Sequence, residues 1–450
     1  MFDYDELARV STVRDYLTGN GSSSAWKSFD VNYTQDGLDR RFRTTFSFAN
    51  QTTVAPAPID STNTYDWNPT VADRLDYVRQ FTTSTAEGQY AVKDRRIVNL
   101  EYFNNGEVKK ITRWEGAVAT ADALITNVTL ANSGWIQGRT GGISHTGMAG
   151  TVAAQGYTWT YDVPGRITGS TITGSTPETK TFAYDSNDQL TGVTGSQTLS
   201  RTYDVNGNRT DSGVNVADNQ LTNDGTYSYS YDKNGNRTQR TKLDGSYEKY
   251  TWDRRNRLTS VASYTITNIK TKEIQYQYDG LDRRIRRRID ANGNGVFTDA
   301  GDLQERFVYD TNVQNPSYSE VVQVLDESNN FALKHRFLNG PALDQVFSDQ
   351  TADGNILWLL QDNQQTVTDV ADFGDSNSDG SADGKSILVN HLTYNASGQV
   401  INADHSQTTT STSDGTLLGL DTGAARPGNS VSCFPSHSDP RSVFGVGIVV

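Results

Sequence analysis

Two stretches of this 450-residue chain carry side chains spaced for chemistry. Asp290-Ala-Asn292-Gly-Asn294-Gly295, followed by Asp299 and Asp302, sets oxygen-bearing side chains at alternate positions before a glycine. Asp375-Ser-Asn377-Ser-Asp379-Gly380, followed by Asp383, repeats the pattern. This is the first half of a calcium loop, in which alternating Asp and Asn turn oxygens inward and the glycine permits the sharp turn. The acidic twelfth residue is missing, since Gly301 and Ser386 stand there, so Asp299 or Asp302 in one loop and Asp383 in the other would have to replace it. The expectation is calcium bound weakly, at ~10⁻⁴–10⁻³ M, against the plainer reading of two polar hairpin loops.

Elsewhere the search for chemistry is negative. The chain has no phosphate-cradling glycine loop followed by Lys-Ser/Thr, no HExxH, no G-x-S-x-G and no paired Cys motif. His145 lies in a glycine-rich stretch without a recognisable nucleophile or acid to pair with. Carboxylates recur so regularly that none forms the special pair a glycosidase requires. No catalytic residue is assigned, and the chain is read as a non-enzyme.

The carboxylates recur because one phrase does. It reads YDVPGRIT from Tyr161 and Asp162, YDSNDQLT from Tyr184 and Asp185, YDVNGNRT from Tyr203 and Asp204, YDKNGNRT from Tyr231 and Asp232, WDRRNRLT from Trp252 and Asp253, and YDGLDRRI from Tyr278 and Asp279. Before each turn runs an alternating stretch such as Thr226-Tyr-Ser-Tyr-Ser-Tyr231, so each unit reads as a β-hairpin. Gly207 and Gly235 would supply positive φ, and the aspartates would accept hydrogen bonds from turn amides. One hairpin cannot bury its aromatic face alone, so the units must extend or stack into a longer sheet.

These units resemble the YD-repeat or Rhs family, with a more distant likeness to Tc-toxin and teneurin YD shells. Phe337-Leu-Asn-Gly-Pro-Ala-Leu-Asp-Gln345, Trp358-Leu-Leu-Gln-Asp362 and Tyr394-Asn-Ala-Ser-Gly398 follow in the order of that family's core phrases. The resemblance covers about Tyr157 to Val400. It implies an all-β hairpin array with few helices, spiralling into part of a hollow shell that encloses a toxin or builds a cell-surface contact protein. The implied partners are a protein cargo or neighbouring domains of a longer parent chain, and the implied location is secreted or cell-surface. A second reading is a carbohydrate-binding module, with exposed aromatics stacking on sugars. A third is the remnant of an autoproteolytic toxin; the aspartate-bearing cleavage segment of the family has no counterpart here, so none of its residues is carried over.

Composition agrees with a broad polar sheet: 22 Tyr against 2 Met, 39 Gly and 34% hydrophobic residues. The net charge of −13 argues against nucleic acid as a partner. The one basic run, Arg283-Arg284-Ile-Arg-Arg-Arg288, reads as an ion-paired strand with its arginines divided between two faces. Cys433 is alone, and no 18-residue apolar run suggests a membrane span. The expected organisation is degenerate repeats over 1–130, with short helical insertions near Val71–Gln80 and Ala117–Leu124, a Gly-rich link over 131–156, regular repeats over 157–310, a core-associated β segment over 311–400, and an atypical tail over 401–450 that is frameshifted or disordered. Phe2-Asp-Tyr-Asp5 is itself a YD phrase, and MFDYDELARVSTV has no secretory character, so the chain reads as a fragment of a longer frame.

Overall fold

The computed structural model describes residues 2–4, 10–16, 28–35, 41–49, 61–67, 74–82, 96–115, 123–131, 137–147, 155–174, 177–211, 214–217, 219–310, 320–329, 331–340, 345–352, 354–374, 385–394, 400–404, 416–417 and 420–421. Every regular element among them is a β-strand. Within each sheet the strands pair in sequence order, each antiparallel to the one before, as a meander. A 15-stranded sheet runs from Phe2–Tyr4 to Leu199–Ser200, and a 16-stranded sheet from Val214–Ala217 to Val400–Asp404.

Short alternating stretches joined by turns make this the direct solution, because a two-residue period places polar and apolar groups on opposite faces. The two helical insertions expected near Val71–Gln80 and Ala117–Leu124 are corrected: the described parts belong to strands Leu75–Thr82 and Leu124–Leu130. The apolar spacing Leu75, Val78 mimics a helix because Asp76 is bulged. Trp67 pairs with Leu75 and Asp66 with Tyr77, so one residue is skipped. Residues 131–156, which composition suggests as a link, contribute strand Thr140–Thr146 to the first sheet.

The core lies where the two sheets meet. Leu75, Val78, Val98, Leu100, Ile111 and Leu124 of the first sheet pack against Leu338, Phe347, Ile356, Trp358, Leu360, Ala371 and Phe373 of the second. A second cluster, containing Phe307, Val324, Phe337, Leu359, Val370 and Leu392, belongs to the second sheet. Polar groups also cross between the sheets. Gln80 Nε2 donates to the Phe337 carbonyl at 3.0 Å, Arg96 Nη1 to the Arg336 carbonyl at 3.1 Å, and Trp358 Nε1 to Glu115 Oε1 at 2.7 Å. Between these dense regions, the repeats from Tyr161 to Tyr278 form a thinner wall whose side chains are mostly half-buried.

Candidate functional site

The YD turns share one geometry. In the unit from Tyr203, Asp204 N donates to the Asn208 carbonyl at 2.9 Å and Gly207 N to the Asp204 carbonyl at 3.1 Å, closing a three-residue loop with Gly207 at φ 84°. The unit from Tyr231 repeats it, with Gly235 at φ 83°. Where glycine is absent, Asp188, Asn256 and Asp282 take the same left-handed position, at φ 63°, 57° and 66°.

The aspartate of each phrase fastens its own turn. Asp204 Oδ1 accepts the amides of Asn206 and Asn208 at 2.8 and 2.9 Å; Asp185, Asp232, Asp253 and Asp279 bind the equivalent pair. In the first unit Asp162 accepts the amides of Gly165 and Arg166 at 3.0 and 2.8 Å. The side-chain and backbone amides of Asn208 hold the Asp204 carboxyl below the usual carboxylate range.

The aromatic reaches backward to the preceding unit. Tyr184 Oη donates to the Ile167 carbonyl at 2.8 Å, Tyr203 to Leu190 at 2.8 Å, Tyr231 to Leu221 at 2.7 Å and Tyr278 to Leu258 at 2.8 Å. Trp252 makes the same bond with its indole nitrogen, to the Arg237 carbonyl at 2.8 Å. The series extends outward through Tyr102 to Leu75, Tyr161 to Thr140, Tyr309 to Arg284 and Tyr394 to Val367. Even Asn339 takes the position, donating Nδ2 to the Val321 carbonyl at 3.1 Å.

Each acceptor in the nine aromatic cases sits beside a register shift in its own hairpin, as at Thr160/Tyr161 opposite Ile167 and Ala183/Tyr184 opposite Leu190. A bulge disrupts the ladder locally and exposes backbone polar groups to other partners. The next unit's aromatic supplies one, so turn, bulge and latch form a single device. Tyr102, in a Tyr-Phe-Asn-Asn-Gly106 phrase that lacks the aspartate, makes the same latch.

Arginine reinforces some latches. Arg166 lies over the Tyr184 ring at 4.9 Å and Arg257 over the Tyr278 ring at 4.9 Å. Each is gripped by the aspartate of its own turn, Arg166 Nε to Asp162 and Arg257 Nε to Asp253, both at 2.7 Å. Each also binds forward, to Asp188 at 2.8 Å and Asp282 at 2.7 Å. In the basic run, Arg283 pairs with Asp279, Arg286 with Glu327 and Arg287 with Glu305.

One hairpin without the aromatic lies next to the point where the two sheets part. The hairpin turning at Asn219 pairs Val216 with Leu221, the register position that an aromatic holds in the latched units. Valine has no donor to reach back to the unit before it. The first sheet ends just upstream, at Leu199–Ser200 and the lone bridge from Tyr203 to Arg209.

The residues expected to hold calcium divide. Asp290 is buried and its two oxygens accept the amides of Gly293, Asn294 and Gly295 at 2.7, 3.2 and 2.7 Å. Asp302 accepts the amides of Ala291 and Asp299, both at 2.8 Å. Asn292 and Asn294 both donate side-chain nitrogens to Asp299, at 3.0 and 2.6 Å. Among the described residues no group of three or more His, Cys, Asp or Glu could hold a metal ion. The second loop, with Asp375, Asn377, Asp379 and Asp383, lies outside the described residues.

A buried polar seam between the sheets has no counterpart in the sequence reading. Tyr157 Oη of the first sheet donates to Asp369 Oδ2 of the second, and Asp369 Oδ1 meets His391 Nδ1 at 2.7 Å. Beside it, fully buried His145 touches the Tyr157 ring, with centroids 5.7 Å apart. Such a seam joins residues some two hundred positions apart, and no local pattern announces it.

Latch, bulge and turn in sequential antiparallel hairpins define a YD-type β-shell wall. The teneurin YD-shell family model matches residues 77–332, more than half of the chain, and the chain belongs to that family. The match reaches back into the repeats that look degenerate in sequence. No curated protein matches the chain. Among solved structures, the TcdB2-TccC3 complex is similar at 10% identity and TM-score 0.26, covering 89% of this chain and 26% of that one. The same complex without its hypervariable C-terminal region is similar at 10% identity and TM-score 0.32, covering 89% and 24%. The Photorhabdus luminescens Tc holotoxin pore is similar at 10% identity and TM-score 0.24, covering 89% and 25%. The chain thus spans about a quarter of the length of those chains. Among the described residues, no helix is long and apolar enough to cross a membrane.

Proposed function

We propose that this chain is a structural wall segment of a secreted or cell-surface YD shell, enclosing or presenting a protein cargo and doing no chemistry of its own. The observation that carries this reading is the series of nine aromatic latches from Tyr102 to Tyr394, each tying its hairpin to the one before. In the six phrases the aromatics are half-buried and their donors committed to neighbouring carbonyls, which suits a wall better than a sugar platform. A shell needs a surface that is stiff along its strip without a thick core, and this arrangement supplies one. Calcium at the 290–302 loop is a secondary part of the proposal. Because the loop closes on its own amides, a cation would enter by turning the Asn292 and Asn294 oxygens inward beside Asp299.

The test is protection of a passenger. An unstructured reporter fused to the chain's C-terminal end should resist protease in the wild-type fusion and become sensitive when Tyr231 and Tyr278 are both replaced by Ala. Digestion of the wild-type fusion at the rate of the free reporter would overturn the enclosing role. Glycan binding lost on Tyr247→Ala, a half-buried ring stacked on Tyr264 at 4.9 Å, would favour the carbohydrate alternative.

A further inference from the structure

The seam holds a histidine in a setting that admits one protonation state. His145 Nδ1 lies 3.0 Å from Thr126 Oγ1, and the same hydroxyl oxygen accepts Arg113 Nη1 at 2.7 Å. With one lone pair taken by the guanidinium, the hydroxyl has its own proton to give, and Nδ1 is the group placed to accept it. Nε2 therefore carries the ring's proton, and it is buried with no hydrogen-bond partner. Arg113, itself buried, rests over the Phe347 ring at 5.8 Å.

We propose that this cluster is an acid-sensitive catch: a proton taken by His145 breaks the Thr126 bond, places a second cation beside Arg113 and loosens the first sheet from the second. The added proton must go to Nδ1, which then has to donate toward an oxygen already receiving the guanidinium. The groups facing His145 are Thr126 on the adjoining strand, Arg113 on the strand beyond it, Tyr157 on the other side, and Asp369 with His391 from the second sheet. Asp369 is the one anion among them, and its two oxygens are occupied by Tyr157 and His391. It favours the protonated ring through space but offers it no bond.

Burial, opposed by Asp369 and assisted by Arg113, pushes His145 down to about 4. The sign follows. A histidine depressed in the closed state leaves the closed seam fully stable above the unfolded value of about 6.5 and erodes it as pH falls from there toward 4. Glu115 on the same seam opposes this. Burial first, then Asp372, raises it to about 8 against the Trp358 bond and Arg96, so its contribution strengthens the seam as pH falls from 8 toward 4.5. Asp362, raised by burial to about 6 and acting on Tyr157 through space, opposes the catch in the same way, so Asp362→Asn accompanies Glu115→Gln in every chain tested.

Hydrogen exchange of the full-length chain carrying Glu115→Gln and Asp362→Asn, followed at the amides around Thr126, His145, Tyr157 and Asp369 from pH 7.5 to 5, reads the catch. After correction for intrinsic chemistry, opening should rise by up to tenfold per pH unit below about 6.5. Adding His145→Gln should flatten the slope, while adding His391→Gln should lower protection at every pH and keep it. A slope that survives His145→Gln, a slope removed by His391→Gln, or no slope at all would overturn the proposal. If His145→Gln does not fold, the ring carbon shifts of labelled His145 in the chain carrying Glu115→Gln and Asp362→Asn decide instead. The closed seam should keep that ring neutral down to pH 5, and titration near its ordinary value would overturn the catch.

Discussion

Asp204 and Asp362 close the same turn in two different settings. Both accept the amides two and four residues on, Asp204 at 2.8 and 2.9 Å and Asp362 at 2.8 and 2.9 Å. In the thin wall, Asn208 and the turn amides hold Asp204 below the usual range. In the dense half, burial overrides the same amides and pushes Asp362 up to about 6. The turn is thus a portable unit, and what surrounds it decides whether its charge helps. The wall is held by hydrogen bonds repeated along the strip; the region where the sheets meet is held by apolar packing that absorbs polar groups at a cost.

The contrast breaks most visibly at Trp358. It is fully buried between the sheets and bonded to Glu115, so Trp358→Ala should cost ~3–5 kcal/mol in denaturant unfolding. A comparable cost at a half-buried wall aromatic would erase the distinction. For Tyr231→Ala we expect ~2 kcal/mol, part packing and part latch, with protection lost first around Leu221. Smaller still is Gly235→Ala, which places a side chain at φ 83° and should cost ~1 kcal/mol in thermal melts.

Titration separates the two aspartates by the sign of its effect. Asp362 has a raised value in the folded chain, so its contribution falls as pH rises from about 4 toward 6, and Asp362→Asn should flatten that part of the stability profile. Asp204 has a lowered value, so its contribution is present above about 4 and fades as pH falls further; Asp204→Asn should lower stability slightly at neutral pH. Melting curves of both variants between pH 3 and 7 should therefore diverge in opposite directions. The smallest effect is expected from calcium. Calorimetry at millimolar calcium should show a weak heat that Asp290→Ala removes, and no heat would leave the loop as a polar turn.

Local chemistry in the sequence discloses the hairpins well, because Asp, Asn and Gly at fixed offsets are what a bulged turn demands. The backward latch is less legible. Its acceptor is a backbone carbonyl in the previous unit, between 10 and 27 residues away, and insertions vary that distance. Tyr102 shows the difficulty: without an aspartate beside it the phrase looks degraded, yet the phenol bonds as the others do. Helical spacing at Leu75 and Val78 misleads for a related reason, since a bulge skips Asp76 and gives a strand a three-residue step. The seam at Tyr157 and Asp369 is formed by tertiary packing alone, and buried His145 and Arg113 carry no signal of it in their neighbours.

Each aromatic locks its hairpin to the one before, and Tyr278→Phe tests this with least disturbance. The ring and its contact with Arg257 remain while the bond to the Leu258 carbonyl is lost. Hydrogen exchange across the whole chain should show a local loss of ~0.5–1.5 kcal/mol of protection between strands Leu258–Tyr264 and Lys270–Tyr278, with distant strands unchanged. Unchanged protection at that joint would contradict the account.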